Sequence, residues 1–343
     1  MKLKITLLLI IASVSATAQQ FKSPGEYLTY INAATDNISK ATWSYTSAVA
    51  HSKSARKIDT TREALIKSIQ AAYKKVEAIK DGYKGDTEYR DQMLSYLSIS
   101  EKYINNEYDK IIDMQEVADQ SYDYMEAYIL ARDLVNQKIN DEIDKLNANQ
   151  RNFGKKYGIT ITEDKSELAK KMQISNEVFK NHTDIYLIFF KASITEENLM
   201  AAIEANDLNA IQQNANALEQ HSREGLEKLK TFAPFKNDPS MVKATTQALE
   251  FYIREAAELT AETISFLMKK QKIEDTHQAI ASKKESDRTN AEIDSYNKLA
   301  ADMNKSVAQF NKKNTDFNNE RENVVGNWNF TGDSFISRHV PKS

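Results

Sequence analysis

Between Thr87 and Gln150 the chain contains neither glycine nor proline, and its 343 residues hold only 8 glycines and 4 prolines in all. A chain so poor in the two residues that reverse its direction has few places to turn. Long stretches of Ala, Lys, Glu, Gln, Leu and Asn fill the space between them, and these favour helix. Strand-like alternation is confined to Gly158-Ile159-Thr160-Ile161-Thr162. The sequence therefore predicts an all-α protein.

Apolar residues recur at helical spacing along the chain. Pro24 suits a first helical turn, and Tyr27, Tyr30/Ile31, Ala34, Ile38, Ala41, Tyr45 and Ala48/Val49 keep one face apolar to about His51. Thr60-Thr61-Arg62-Glu63 has the form of a capping box, ahead of Leu65, Ile69, Ala72/Tyr73, Val76 and Ile79. A tight connection at Asp81 to Asp86 leads to Tyr89, Met93, Tyr96/Leu97, Tyr103/Ile104 and Ile111. Sixty unbroken helical residues would span about 90 Å, so a concealed turn near Asp113 to Ser121 is expected. Downstream, one helix contains Tyr186 to Ile203, and Asp207 caps the next, which carries Leu208, Ile211, Ala215, Leu218, Leu226 and Leu229. Met241 to Leu267 and about Glu274 to Glu322 supply two more.

The second half echoes the first. Tyr27-Leu28 returns as Tyr186-Leu187, Tyr83-Lys84-Gly85-Asp86 as Phe235-Lys236-Asn237-Asp238, Asn140-x-Glu142-Ile143-Asp144 as Asn290-x-Glu292-Ile293-Asp294, and Phe153-x-Lys155-Lys156 as Phe310-x-Lys312-Lys313. Four echoes in one order point to internal duplication: two tandem antiparallel helical bundles, residues 19–158 and 159–322, followed by an aromatic tail over 323–343.

The N-terminus reads as a cleaved signal peptide over residues 1–18. Lys2 and Lys4 are its basic region, Ile5 to Val14 its apolar core, and Ala16-Thr17-Ala18 its cleavage site. The apolar run is too short for a membrane anchor, which needs about 18 to 20 residues. With Cys 0, no lipidated cysteine follows the cleavage site and no disulfide forms. Taking Lys2 and Lys4 from the 46 basic residues leaves about 44 against 49 acidic ones. A mature chain at about −5, its lysines interleaved with acids, offers no stripe for nucleic acid. After the signal peptide no apolar run reaches membrane-spanning length.

The signal peptide ending Ala18-Gln19-Gln20, the cysteine-free helical body in two halves, and the aromatic ending Trp328-Asn329-Phe330 through His339-Val340-Pro341 together resemble an uncharacterised family of bacterial helical surface proteins known from Bacteroidetes and spirochaetes. The resemblance spans nearly the whole mature chain on diffuse motifs. It implies an exported location and no assigned activity or site residue.

Chemistry-bearing motifs are sparse. The absence of cysteine removes thiol nucleophiles and thiolate metal sites. Of the five histidines, His277 completes one Glu-x-x-His unit with Glu274, half of what a di-iron bundle needs. His221 and Glu224 share a helical face and could hold a metal, though a solvated polar pair is the commoner meaning. No nucleophile elbow, P-loop or dinucleotide fingerprint occurs. No cofactor and no catalytic residue are expected. Tyrosine is the uneven component: all of the 16 except Tyr186, Tyr252 and Tyr296 lie in the first half. Tyr89, Tyr96 and Tyr103 are seven apart on one face, either a bundle rim or an exposed stripe for peptide or glycan. In the tail, Val324 to Gly332 is not expected to sustain a helix, yet Trp328, Phe330 and Phe335 should order it, packed into a groove or docked on an envelope partner.

These readings converge on an exported, non-catalytic binding or structural component of the cell envelope with an unknown envelope protein or glycan as partner. A metal-binding periplasmic helical protein and a helical pore-former are the alternatives. A membrane-curving coat would need a basic face that is absent.

Overall fold

The computed structural model describes residues 21–107, 118, 120–162 and 166–342. The signal peptide expected over residues 1–18 lies outside them. The described chain is all-helical, with no strand among the described residues. In order come α1 (Pro24–His51), α2 (Ala55–Glu77) and α3 (Glu88–Lys102), which runs on into a π-helical turn, Tyr103–Glu107. Then follow α4 (Tyr122–Tyr157), α5 (Glu167–Glu204) and α6 (Leu208–Leu229). Next, α7 (Ser240–Arg254) passes through a second π-helical turn, Glu255–Leu259, into α8 (Thr260–Ala281), and α9 (Asn290–His339) ends the chain. No helix among the described residues is long and apolar enough to cross a membrane.

Of the turn expected at Asp113 to Ser121, Gln120 and Ser121 are described and non-helical, directly ahead of α4; residues 113–117 and 119 lie outside the described set. The helix starts correct one expectation and bear out another. α2 begins at Ala55, capped by Ser54, whose hydroxyl accepts from Lys57 N at 3.3 Å, and not at Thr60. Thr60 and Thr61 instead turn their hydroxyls back to the carbonyls of Arg56 and Ile58, both at 2.7 Å, as mid-helix threonines do. Asp207 does cap α6, accepting from Asn209 N and Ala210 N at 3.0 Å each. A capping box stands at Thr289 and Glu292, opening α9.

The chain divides into two compact units. Unit 1 takes residues up to Tyr45, Ser54–Lys110 and Asp133–Leu168; unit 2 takes Thr46–Lys53, Ile111–Arg132 and the chain from Ala169 onward. The core of unit 1 joins Tyr27, Ile31 and Ile38 of α1, Leu65, Ile69 and Val76 of α2, Tyr89, Met93 and Leu97 of α3, and Phe153 of α4. In unit 2, α9 packs along α7 and α8, and α6 along α7.

Each unit contains the same small structure at a loop. In unit 1, Tyr83 and Asp86 exchange backbone hydrogen bonds of 2.9 and 3.0 Å, with Lys84 at φ 51° and Gly85 at φ 85° between them. The Asp86 carboxylate accepts from Lys156 at 2.8 Å and the Tyr157 hydroxyl at 3.1 Å, and from Glu88 N at the head of α3. In unit 2, Phe235 and Asp238 form the matching bridge, Asp238 N donating to Phe235 O at 2.8 Å, with Lys236 at φ 47° and Asn237 at φ 65°. The Asp238 carboxylate meets Arg338 and His339, the latter at 2.7 Å, and accepts from Ser240 N at the head of α7. Ring geometry repeats too: Tyr83 meets Tyr157 edge-on at 5.0 Å, and Phe235 meets His339 edge-on at 5.3 Å. Both α3 and α7 are 15 residues long and enter a five-residue π-helical turn.

The tail departs from expectation. Val324 to Gly332 continues α9 without a break, and the helix ends only at His339. Burial overrides the weak propensity of this segment. Trp328 is 4 % exposed, stacks on Phe189 at 4.0 Å and donates Nε1–H to Thr245 Oγ1 at 2.9 Å. Phe335 is fully buried beside Phe235.

Candidate functional site

In unit 2, α5 and α6 each present residues at i, i+3, i+4 and i+7 to a common cleft: Asp184, Leu187, Ile188 and Lys191 from α5, His221, Glu224, Gly225 and Lys228 from α6. That spacing puts each quartet on one helical face. Thr231 and Phe232 close one end, Tyr122 of α4 borders it, and the volume is about 290 Å³. Gly225 sets the depth. A Cβ there would lie 2.8 Å from Leu249 Cδ1 and 3.0 Å from Ile188 Cγ2, so any larger residue would make these side-chain ends shift.

The carboxylates and the imidazole of the cleft each have a partner. Lys191 pairs with Glu224 at 3.3 Å and stands over the Tyr122 ring, 5.6 Å from its centre. Glu224 also accepts from Gln220 at 2.9 Å, and these hydrogen bonds from Gln220 and Lys191 hold its carboxyl below the usual range. Asp184 pairs with Lys180 at 2.9 Å. His221 places Nδ1 3.0 Å from the Thr195 hydroxyl, while that hydroxyl sits 2.7 Å from the Lys191 carbonyl oxygen. Two oxygens approach that closely only with a proton between them, so Thr195 donates to the carbonyl and must accept from His221 Nδ1–H. Burial, then the Lys191 ammonium, push the imidazole pKa down, so the ring is neutral at pH 7 with its lone pair on Nε2.

A second cluster in unit 2 is buried. Arg321 of α9 lies between Glu196 of α5, 4 % exposed, and Glu255, 0 % exposed, the first residue of the π-helical turn. Its Nε is 2.6 Å from Glu196 Oε1 and its Nη2 pairs with Glu255 Oε1. Nη1 donates to Asn318 Oδ1 at 2.7 Å. One guanidinium cannot neutralise two carboxylates. Burial, opposed by Arg321, pushes Glu196 up to about 7 and Glu255 up to about 8. At neutral pH the pair therefore retains a proton.

The residues singled out by sequence fall apart in the structure. Tyr89 is 2 % exposed, its hydroxyl donates to Asn32 Oδ1 at 3.3 Å, and burial pushes its pKa up to about 12. Tyr96 is half-buried against the unit 1 core, and half-buried Tyr103 opens the π-helical turn with Lys138 over its ring. Of the tail set, Trp328 and Phe335 are buried, whereas Phe330 is 71 % exposed. The described residues include no group of three or more His, Cys, Asp or Glu able to hold a metal ion. Sequence reasoning found His221 and Glu224 but missed Lys191, Lys228 and Tyr122, which gain meaning only when α4, α5 and α6 meet. It also passed over Glu196 and Glu255. Both stand on core stripes, Ile185-Phe189-Ala192-Glu196-Leu199 and Met241-Thr245-Ala248-Tyr252-Glu255-Leu259, where an acid is the visible anomaly.

No protein-family profile, curated protein or solved structure matches this chain.

Proposed function

We propose that this is an exported protein of two tandem copies of one antiparallel helical bundle, acting as a non-catalytic binding or structural component of the cell envelope that engages an envelope protein or glycan. The basic, apolar and small-residue succession of residues 1–18 supports export. The paired loops at Tyr83–Asp86 and Phe235–Asp238, each followed by a 15-residue helix and a π-helical turn, support duplication. The excess of 49 acidic over 46 basic residues speaks against nucleic acid.

The observation that carries binding over turnover is the polarity around His221. A histidine beside a threonine hydroxyl looks like a general base on a nucleophile. Here the imidazole donates to the hydroxyl, and the hydroxyl proton is committed to a backbone carbonyl. Thr195 is therefore not activated, and the two carboxylates of the cleft, Asp184 and Glu224, are each held by an ammonium group. Such a cleft can hold a ligand but supplies no nucleophile. Cell fractionation, followed by pull-down from envelope extract with the chain from Gln19 as bait, tests the reading. The expected result is processed protein in the envelope or medium and recovery of an envelope component unaltered by incubation. Retention in the cytoplasm, or conversion of the recovered component, overturns it.

A further inference from the structure

The cleft between α5 and α6 has a chemistry specific enough to name its ligand, and the inference rests on the binding reading above. Its two carboxylates, Asp184 and Glu224, are held by ammonium groups of their own, Lys180 and Lys191. Lys228, in contrast, lines the cleft with no ion-pair partner among the described residues. The free charge is thus positive, on a chain whose overall charge is −3. His221 adds a constraint of opposite kind. With Nδ1–H committed to Thr195, its Nε2 can only accept. A ligand that fills the cleft meets Lys228 with an anion and Nε2 with a hydrogen-bond donor. An ammonium donor is disfavoured beside Lys191 and Lys228, so the donor is neutral, and of the two common neutral donors, amide N–H and hydroxyl, we take the hydroxyl. The Tyr122 and Phe232 rings and the Leu187 and Ile188 side chains supply apolar walls. At about 290 Å³ the cleft stands near the lower bound of roughly 300 Å³ for small-molecule sites.

We propose that this cleft binds a hydroxylated carboxylate of sugar-acid type, its carboxylate on Lys228 and a hydroxyl donating to His221 Nε2. Free hydroxy acids share that chemistry, and the test separates the two sources.

The mature chain is titrated calorimetrically at pH 7.5 with D-glucuronate, D-glucose, lactate and glycine. Glucuronate should bind and glucose should bind at least about tenfold more weakly, the loss of one charge-assisted hydrogen bond. Lactate binding as tight as glucuronate keeps the hydroxy-carboxylate and assigns it to a small acid; weaker lactate binding assigns it to the sugar. Lys228→Met, at an exposed position, should weaken glucuronate about tenfold and leave glucose unchanged. Equal affinity for glucose and glucuronate, tighter binding of glycine, or insensitivity to Lys228→Met overturns the proposal. If none of the four probes binds while the envelope pull-down still recovers its partner, the ligand assignment fails and the binding reading stands. If the pull-down is empty as well, the binding reading fails with it.

Discussion

Arg321 faces Glu196 and Glu255 in a setting where neither carboxylate can reach bulk water, and the imbalance makes the stability of unit 2 sensitive to pH. A carboxyl whose pKa rises from 4.5 to about 8 on folding binds more protons in the native state than in the unfolded one across that interval. Stability is then fully present below the unfolded value and declines as pH climbs toward 8. Urea unfolding should give a lower midpoint at pH 8 than at pH 5, and Glu255→Gln should flatten the difference, because the amide replaces the carboxyl without a charge to bury. A wild-type midpoint that rises with pH contradicts the assignment. Arg321→Met should cost about 3 to 5 kcal/mol, since it strands two buried acids. The acids were legible as breaks in two apolar stripes. Their arginine was not, because it comes from a distant helix and only packing reveals which of many surface-like arginines turns inward.

At the scale of the helix, the end of α9 is the instructive departure. Val324-Val325-Gly326 and the asparagines around Trp328 are weak helix formers, and local propensity alone places a break there. The structure keeps the helix because Trp328, Gly332 and Phe335 fall on its buried face, where apolar contact outweighs the tenths of a kcal/mol lost at each exposed position. Gly332 sits on that face with His182 Nε2 3.1 Å from where a Cβ would be, so the residue that reads as a turn in sequence is a contact in three dimensions. Two substitutions separate the buried from the exposed aromatics. Trp328→Ala should cost about 3 to 5 kcal/mol, removing the stack on Phe189 and the bond to Thr245. Phe330→Ala, at a side chain 71 % exposed, should change stability by no more than about 0.5 kcal/mol. Denaturant unfolding of both decides it, and comparable losses would mean the tail packs by another face. The alternation of buried and exposed aromatics was implicit in helical spacing, but only once the segment was granted to be helix.

Across the molecule, one loop geometry recurs in both units, at the residues of one sequence echo. Tyr83-Lys84-Gly85-Asp86 and Phe235-Lys236-Asn237-Asp238 occupy matching turns, down to the lysine with positive φ and the aspartate that ties a helix head to a distant helix end. The Phe153 and Phe310 echo does not recur as a structural likeness. The partner of the loop in unit 1 is Phe153, and the residue in that role in unit 2 is Phe335, whereas Phe310 stacks on Phe266 elsewhere. The Asn290 echo likewise opens α9, while Asn140 lies inside α4. Lys-Asn-Asp-rich helices repeat by chance too readily for pattern alone to fix register. If the loops descend from one ancestor, they should be interchangeable. Tyr83→Phe with Gly85→Asn converts the first into the second. Phenylalanine loses only the hydroxyl; asparagine tolerates positive φ, and a Cβ at Gly85 meets nothing within 4 Å. The double variant should lose less than about 1 kcal/mol, a few degrees in melting temperature for a chain of this size. Gly82→Ala is the control for a position the second loop does not share: its Cβ would fall 1.9 Å from the Asp86 carbonyl oxygen, and the loop must break to admit it. A double variant as damaging as Gly82→Ala would show that the two loops resemble each other without being equivalent, and the duplication would lose its main support.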